Sequence, residues 1–568
     1  MLARMTPSAH GHPTQRLVNI GLCMLLLSCG GGGGSPAPSP APSPAPAPAP
    51  APAPPPPAPS DVVVSGPSPV ATGCGISGAA VVFTNAEVEP MVATSPANPN
   101  QLVAAWQQDR AANGGARAVV SAVLSDGGRS WSRTLQPMSR CGGAAAGSAG
   151  DFERSTDPWV DIGIDGTLHL MALGFNGGAL LPGSASAMLA SRSTDGGVNW
   201  SPPTVLLRDG AALFNDKNTL TADPTDARYV YAVWDRVDSN DNGPTLFARS
   251  VNAGLSWEPA RTIYTPTATT GPNQTSQTSQ TIGNRIVVIT EGAERGVLVN
   301  VFVQIDNNTT TRLRVMRSVD KGQTWDAPVT VADMQSVGTR DPDSNAVVRD
   351  GALVPTVAAG PGGMLWLAWQ DARFSGGLRD AIALSRSADG GRTWGAPVAV
   401  NRDASVAAFT PTLHVRADGR IGLLHYDLRS NTASSASLLA DLWLLSSSDG
   451  VTWTETAVKR AFNLATAPTA SNGALFLGDY QGLTSSGNVF VPLAVLPNAD
   501  LNNRTDVIAQ RIESLTANSL QALTRVSARA ELPTISPGQR EAFAAAHAEA
   551  TRRALQLRRP GPAPRAAR

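Results

Sequence analysis

From about residue 61 to 513 the chain alternates valine-rich and leucine-rich runs of four to eight residues with clusters of Gly, Asp, Asn and Pro. Runs of that length, bounded by turn-forming residues, predict short β-strands in close succession. The pattern restarts near Glu89-Pro90, Asp157-Pro158, Asp216-Lys217, Gly283-Asn284, Val354-Pro355, Thr410-Pro411 and Gly478-Asp479-Tyr480. Each restart opens a three-strand unit, and every unit but the last ends in a recurring turn sequence.

That turn reads Ser193-Thr194-Asp195-Gly196-Gly197-Val198-Asn199-Trp200, and it recurs over 318–325 and 387–394. Degenerate copies end at Trp131, where Leu124 replaces the serine, at Trp257, where Asn252 replaces the aspartate, and at Trp453, which is one residue short. Successive terminal tryptophans are 69, 57, 68, 69 and 59 residues apart. This period is long enough for a four-stranded blade with its loops and implies radial stacking of similar sheets.

The pattern S-x-D-x-G-x-x-W resembles the Asp box, or bacterial neuraminidase repeat, and the chain is similar to sialidase-like β-propellers over about residues 78 to 513. The resemblance implies an all-β propeller of four-stranded antiparallel blades. Seven blades are favoured, closed by a strand at Ala79–Thr84, with six as the alternative. It also implies a structural role for Asp126, Trp131, Asp195, Trp200, Trp257, Asp320, Trp325, Asp389, Trp394, Asp449 and Trp453, where carboxylates bind turn amides and indoles cover blade edges.

The flanks differ in composition. Residues 1–29 carry Arg4, Arg16 and the apolar run Leu22–Leu27, too short to span a bilayer, and read as an export signal. Its end, Leu26-Leu27-Ser28-Cys29, resembles a lipobox, which implies lipidation at Cys29 and anchoring to the outer membrane or cell surface. Residues 30–60 are a Gly-rich and then Pro/Ala-rich spacer that favours polyproline II. After 513 a tail to residue 568 carries a capping-box sequence, Ser536-Pro537-Gly538-Gln539, ahead of an Ala-rich helix.

Export places Cys74 and Cys141 in an oxidising compartment, where pairing is expected. Lys plus Arg and Asp plus Glu both number 44, which leaves no positive field for nucleic acid. Asp238–Gly243 begins like a calcium loop, but Arg249 stands at the position of its last acidic ligand, and no metal or cofactor is expected. The partners to expect are an extracellular glycan or an envelope protein, met by a monomer whose only membrane contact is its lipid.

Sialidase chemistry uses an arginine clamp on the substrate carboxylate, an acid/base carboxyl, and a tyrosine nucleophile paired with a glutamate. The resemblance points to Tyr480 as nucleophile, Glu89 as its base, Asp157 or Asp216 as acid/base, and Arg154, Arg340, Lys217 and Asp479 as substrate-binding residues. The family's early F/Y-R-I-P arginine is missing; Glu87-Val88-Glu89-Pro90-Met91 stands in its place. A propeller without catalysis, binding glycan or protein, is therefore the alternative to an exo-sialidase.

Overall fold

The computed structural model describes residues 61–76, 81–124, 130–268, 277–434, 436–513 and 524–561. Seven antiparallel blades follow one another along the chain. Their innermost strands are Glu87–Thr94, Arg154–Ile162, Leu213–Ala222, Ser279–Val288, Thr356–Ala359, Ala408–Val415 and Gly482–Ser486. Each packs against the next, and the last packs against the first, so the sheets form a closed ring. The molecule is a β-propeller, with apolar side chains from the middle strands filling the space between blades.

Blades 1 to 6 each take four consecutive strands, as in Arg154–Ile162, Leu168–Asn176, Ala185–Ser193 and Thr204–Gly210 of blade 2. Blade 7 takes three main strands from its own stretch, Gly482–Ser486, Val489–Pro497 and Thr505–Ala509, and the short strand Ile512–Glu513 pairs with the start of Val489–Pro497. Its outer edge is completed by Val62–Val63, antiparallel to Thr505–Ala509. This corrects the expected closing strand at 79–84. Val82 instead bridges Ala111, and Phe83 N–H donates to the Arg110 carbonyl, both in blade 1, while Ala79 and Ala80 lie outside the described residues. The physical reason is that Val64, just after the closing strand, is buried among blade 7 side chains, and Val507 N–H donates to Ser65 Oγ at 3.0 Å. Closure joins the two ends of the ring and protects what would be an open edge.

The recurring turns share one geometry. Ser193 Oγ donates to Asp195 Oδ1 at 2.8 Å and accepts Gly197 N–H at 2.9 Å, while Asp195 Oδ1 accepts Asn199 N–H at 2.9 Å. Ser318 with Asp320 and Ser387 with Asp389 repeat it. In the degenerate copies Asn252 substitutes for the acid, and Ser447 with Asp449 closes the shorter loop. Trp131, Trp200, Trp257, Trp325 and Trp394 are half-buried against blade cores and Trp453 is fully buried. Asp126 lies outside the described residues.

A disulfide joins Cys74 to Cys141, linking the segment after the closing strand to the loop leaving blade 1. Thr524–Ser527 adds an antiparallel fifth strand to blade 6, and Pro537–Arg558 forms the one α-helix among the described residues. Ser536 caps it reciprocally with Gln539, and Pro537 occupies its first turn.

Candidate functional site

The innermost strands share a local irregularity that builds the axis. In blades 1, 2, 3, 4 and 6 the ladder skips two residues: Glu89-Pro90, Asp157-Pro158, Lys217-Asn218, Gly283-Asn284 and Thr410-Pro411. The first of each pair has positive φ, from 42° at Lys217 to 67° at Gly283. Such a bulge suits proline, which has no N–H to leave unpaired, and re-aims the side chain before it. Left-handed backbone at Glu89 and Asp157 costs about 1–3 kcal/mol each and persists where the surroundings hold it.

Three bulge residues converge. Lys217 Nζ lies 2.6 Å from Asp157 Oδ1, 2.8 Å from Asp479 Oδ2 and 3.3 Å from Glu89 Oε1. Arg349 grips Asp479 with two parallel bonds, Nε to Oδ1 at 3.0 Å and Nη2 to Oδ2 at 2.6 Å. Asp479 N–H reaches Glu89 Oε1 at 3.3 Å, across a chain approach so close that a Cβ at Gly478 would lie 2.8 Å from Glu89 N. Gln107 donates to Glu89 Oε2, and Arg110 donates to Gln107 Oε1 at 2.9 Å. All of these groups are buried.

Burial, opposed by Lys217, pushes the Glu89 carboxyl up to about 7. Burial works against the Lys217 ammonium, yet Asp157, Asp479 and Glu89 overcome it and hold the ammonium above its usual range. Burial likewise opposes ionisation of Asp479, but Arg349 and Lys217 together keep it well below the usual carboxylate range. Asp216 sits beside Lys217 and is raised by burial; Asp235 opposite it in the ladder is raised well above its ordinary value for the same reason. The axis is thus a dense buried charge network in which Lys217 and Arg349 neutralise Asp157, Asp479 and Glu89, while Asp235 Oδ1 has no hydrogen-bond partner among the described residues.

Tyr480 stands next to this network without joining it through a carboxylate. Its hydroxyl donates to the Pro158 carbonyl at 3.0 Å and its ring packs 5.4 Å from Trp159. Burial, reinforced by Glu89 and Asp157, raises the phenol well above its ordinary value, which opposes formation of a nucleophilic phenolate. Arg154 lies over the Phe175 ring and donates to Asn113 Oδ1, Gly114 O and Gly177 O. Arg340 is on the rim, bonded to Asn345 and paired with Glu549. Glu89, Asp157, Lys217 and Asp479 come together, with Asp216 and Tyr480 alongside; Arg154 and Arg340 lie away from them and form no clamp at the axis. Arg349, Arg110 and Gln107 are the members of the network that strand patterning does not reveal.

The end of the helix closes this mouth of the axis. Leu557 O accepts from Arg349 Nη1 at 2.6 Å, Arg558 is buried facing Asp216, Asp235 and Asp479, and Arg559 pairs with Asp241. The chain then crosses to the loops of blades 2 and 1, where Pro560 O accepts Ala179 N–H and Gly561 N–H meets Asn113 O. The cavities left at the axis and beneath the helix are each about 20 Å³, room for a water and not for a sugar ring. A cleft of about 520 Å³ lies to one side, between the helix and the loops of blades 5 and 6.

No family model matches the chain, and no curated protein matches it. Among solved structures it is similar to a protein of unknown function from Dyadobacter fermentans, with TM-score 0.40 and 16% identity over 76% of this chain and 98% of that one. It is also similar to a Hadza microbial sialidase, with TM-score 0.40 and 16% identity over 76% and 66% of the two chains. A leech intramolecular trans-sialidase gives 0.39 and 12% over 80% and 70%.

Proposed function

We propose that this chain is an exported propeller that binds extracellular glycans without hydrolysing them, as a monomer held to the cell surface by lipid at Cys29. The observation that carries the reading is the closed axis. Lys217 is shared by three carboxylates, Arg349 is spent on Asp479, and the helix end fills the mouth. A retaining glycosidase needs a carboxyl free to move a proton and a nucleophile within reach of the sugar. Here the phenol of Tyr480 faces a backbone carbonyl, and the adjoining space admits only water. The recurring turns support a glycan as ligand through their resemblance to the Asp box, and the Pro/Ala spacer supports a position outside the lipid surface.

The deciding experiment pairs turnover with retention. The full chain should release no fluorophore from a fluorogenic sialoside between about pH 4 and 8, yet be retained on a glycan array. Turnover that disappears in Tyr480→Phe would restore the exo-sialidase reading. Absence of both turnover and retention would remove glycans altogether.

A further inference from the structure

The one space among the strongest cavities that is large enough for a saccharide is not at the axis. The cleft of about 520 Å³ falls within the range of about 300–1,000 Å³ typical of small-ligand sites. Three of its lining residues are arginines from three separate elements: Arg340 from the loop entering blade 5, Arg379 from the loop between that blade's middle strands, and Arg553 from the helix.

The arginines are held in place by the protein but not used up by it. Arg340 Nη1 donates to Asn345 O at 3.2 Å, Arg379 Nε to Ala404 O at 2.9 Å, and Arg553 Nη2 to Val337 O at 3.2 Å. A single carboxylate oxygen, Glu549 Oε1, serves two of them, 3.3 Å from Arg340 Nη2 and 3.1 Å from Arg553 Nη1. The Glu549 side chain is 65% exposed, so solvent or a ligand can reach the oxygen it presents. The other acid of the lining, Asp341, is turned into its own loop, accepting Asp343 N–H and Ser344 Oγ–H. Burial and then the neighbouring Arg340 depress the Arg553 guanidinium, against the opposing pull of Glu549, Asp350 and Asp380. Leu378 at the rim is 75% exposed and offers an apolar surface.

We infer that this cleft is a binding site for a carboxylated saccharide, with Arg340 and Arg553 receiving the acid group where Glu549 now stands in for it, and Arg379 lining the same cleft beside them. Planar guanidinium groups favour carboxylates through paired, charge-assisted bonds, and an apolar rim suits the face of a sugar ring. The assignment rests on the glycan-binding reading above and places it at the rim of the ring, off the axis.

The test is titration calorimetry of the full chain with 3′-sialyllactose and with digalacturonate, using lactose as the neutral control. At least one acidic probe should bind, and lactose should bind at least about tenfold more weakly, the scale of one charge-assisted contact. Arg340→Ala and Arg379→Gln, on different loops, should each weaken the acidic probe about tenfold. Glu549→Gln should tighten it several-fold by removing the internal competitor. Lactose binding as well as the acids, or a Glu549→Gln protein that binds no tighter, overturns the assignment. Glycan-array retention that persists unchanged in both arginine variants also overturns it while leaving the glycan-binding reading intact; loss of all retention by the wild type sinks that reading itself.

Discussion

Replacing Lys217 by methionine keeps the length of the side chain and removes the one ammonium shared by Glu89, Asp157 and Asp479. Arg349 continues to neutralise Asp479, but Glu89 and Asp157 lose their cation contact. Taking one partner from a buried ion pair costs about 3–5 kcal/mol, because the charge left behind stays out of water. That is a large share of the roughly 5–15 kcal/mol by which folded domains are stable. The loss should depend on pH with a definite sign. In the wild type the Glu89 carboxyl is already raised from 4.5 to about 7, so its contribution is fully present below about pH 4.5 and is lost as pH rises through about 7, a change of roughly 3 kcal/mol. Without Lys217, Glu89 should hold its proton still more tightly in the folded state, and the variant should recover stability on acidification. Urea denaturation followed by tryptophan fluorescence at about pH 7.5 and 5.5 measures both effects. The expected result is a deficit near 4 kcal/mol at the higher pH and a clearly smaller one at the lower. A deficit under about 1 kcal/mol at pH 7.5, or one that grows with acid, would refute the reasoning.

Three further outcomes are expected. Ser387→Ala removes a hydroxyl that accepts Gly391 N–H and donates to Asp389, and should lower stability by about 1–2 kcal/mol in the same denaturation assay, leaving glycan retention unchanged. Replacing Cys74 and Cys141 together by serine opens a loop with a sequence separation of 67 residues and should cost up to about 4 kcal/mol, with the wild type matching the variant once a reductant is added. Tyr480→Phe leaves the Pro158 carbonyl without its donor and should cost about 1 kcal/mol in stability, with no change in affinity for any glycan the wild type retains.

The ring was legible because its unit is local. Ser, Asp and Gly at fixed offsets close each turn by themselves, so the repeat survives in sequence wherever the turn does. The axial charged residues were legible for a related reason: Glu89, Asp157 and Lys217 occupy one bulge position ahead of similar apolar runs. The closing strand was misread because Val62–Val63 is two residues long and follows directly on a low-complexity spacer, whereas 79–84 offers a longer apolar run. Arg154 shows another limit. It opens the innermost strand of blade 2, yet the direction of its long side chain depends on what it meets, here the Phe175 ring and two carbonyls. Arg349 comes from a two-residue strand outside the blades, Arg379 from a loop, and Arg553 and Arg558 from the helix, where no period announces which face will meet the propeller. At the ends of the second strands Arg373 and Arg429 pair with Asp371 and Asp427 two residues away, whereas Arg236 crosses to the preceding blade, at Asp209.

The way the polypeptide enters the ring decides how it answers to being pulled. Tension arriving from residues ahead of Asp61 falls first on Val62–Val63, whose grip is a two-residue ladder, the Val64 bond to Val507 and the Lys459–Asp61 pair. If that seam and the bonds of Ser65, Pro67 and Ser68 behind it give way, residues 62 to 73 can extend to about 40 Å before the slack ends. At Cys74 the sulfur bridge then passes the force sideways to Cys141, so further extension is borne by the loop leaving blade 1. A weak seam backed by a covalent stop lets the entering segment yield by a fixed distance while the six blades that close on their own strands keep their shape.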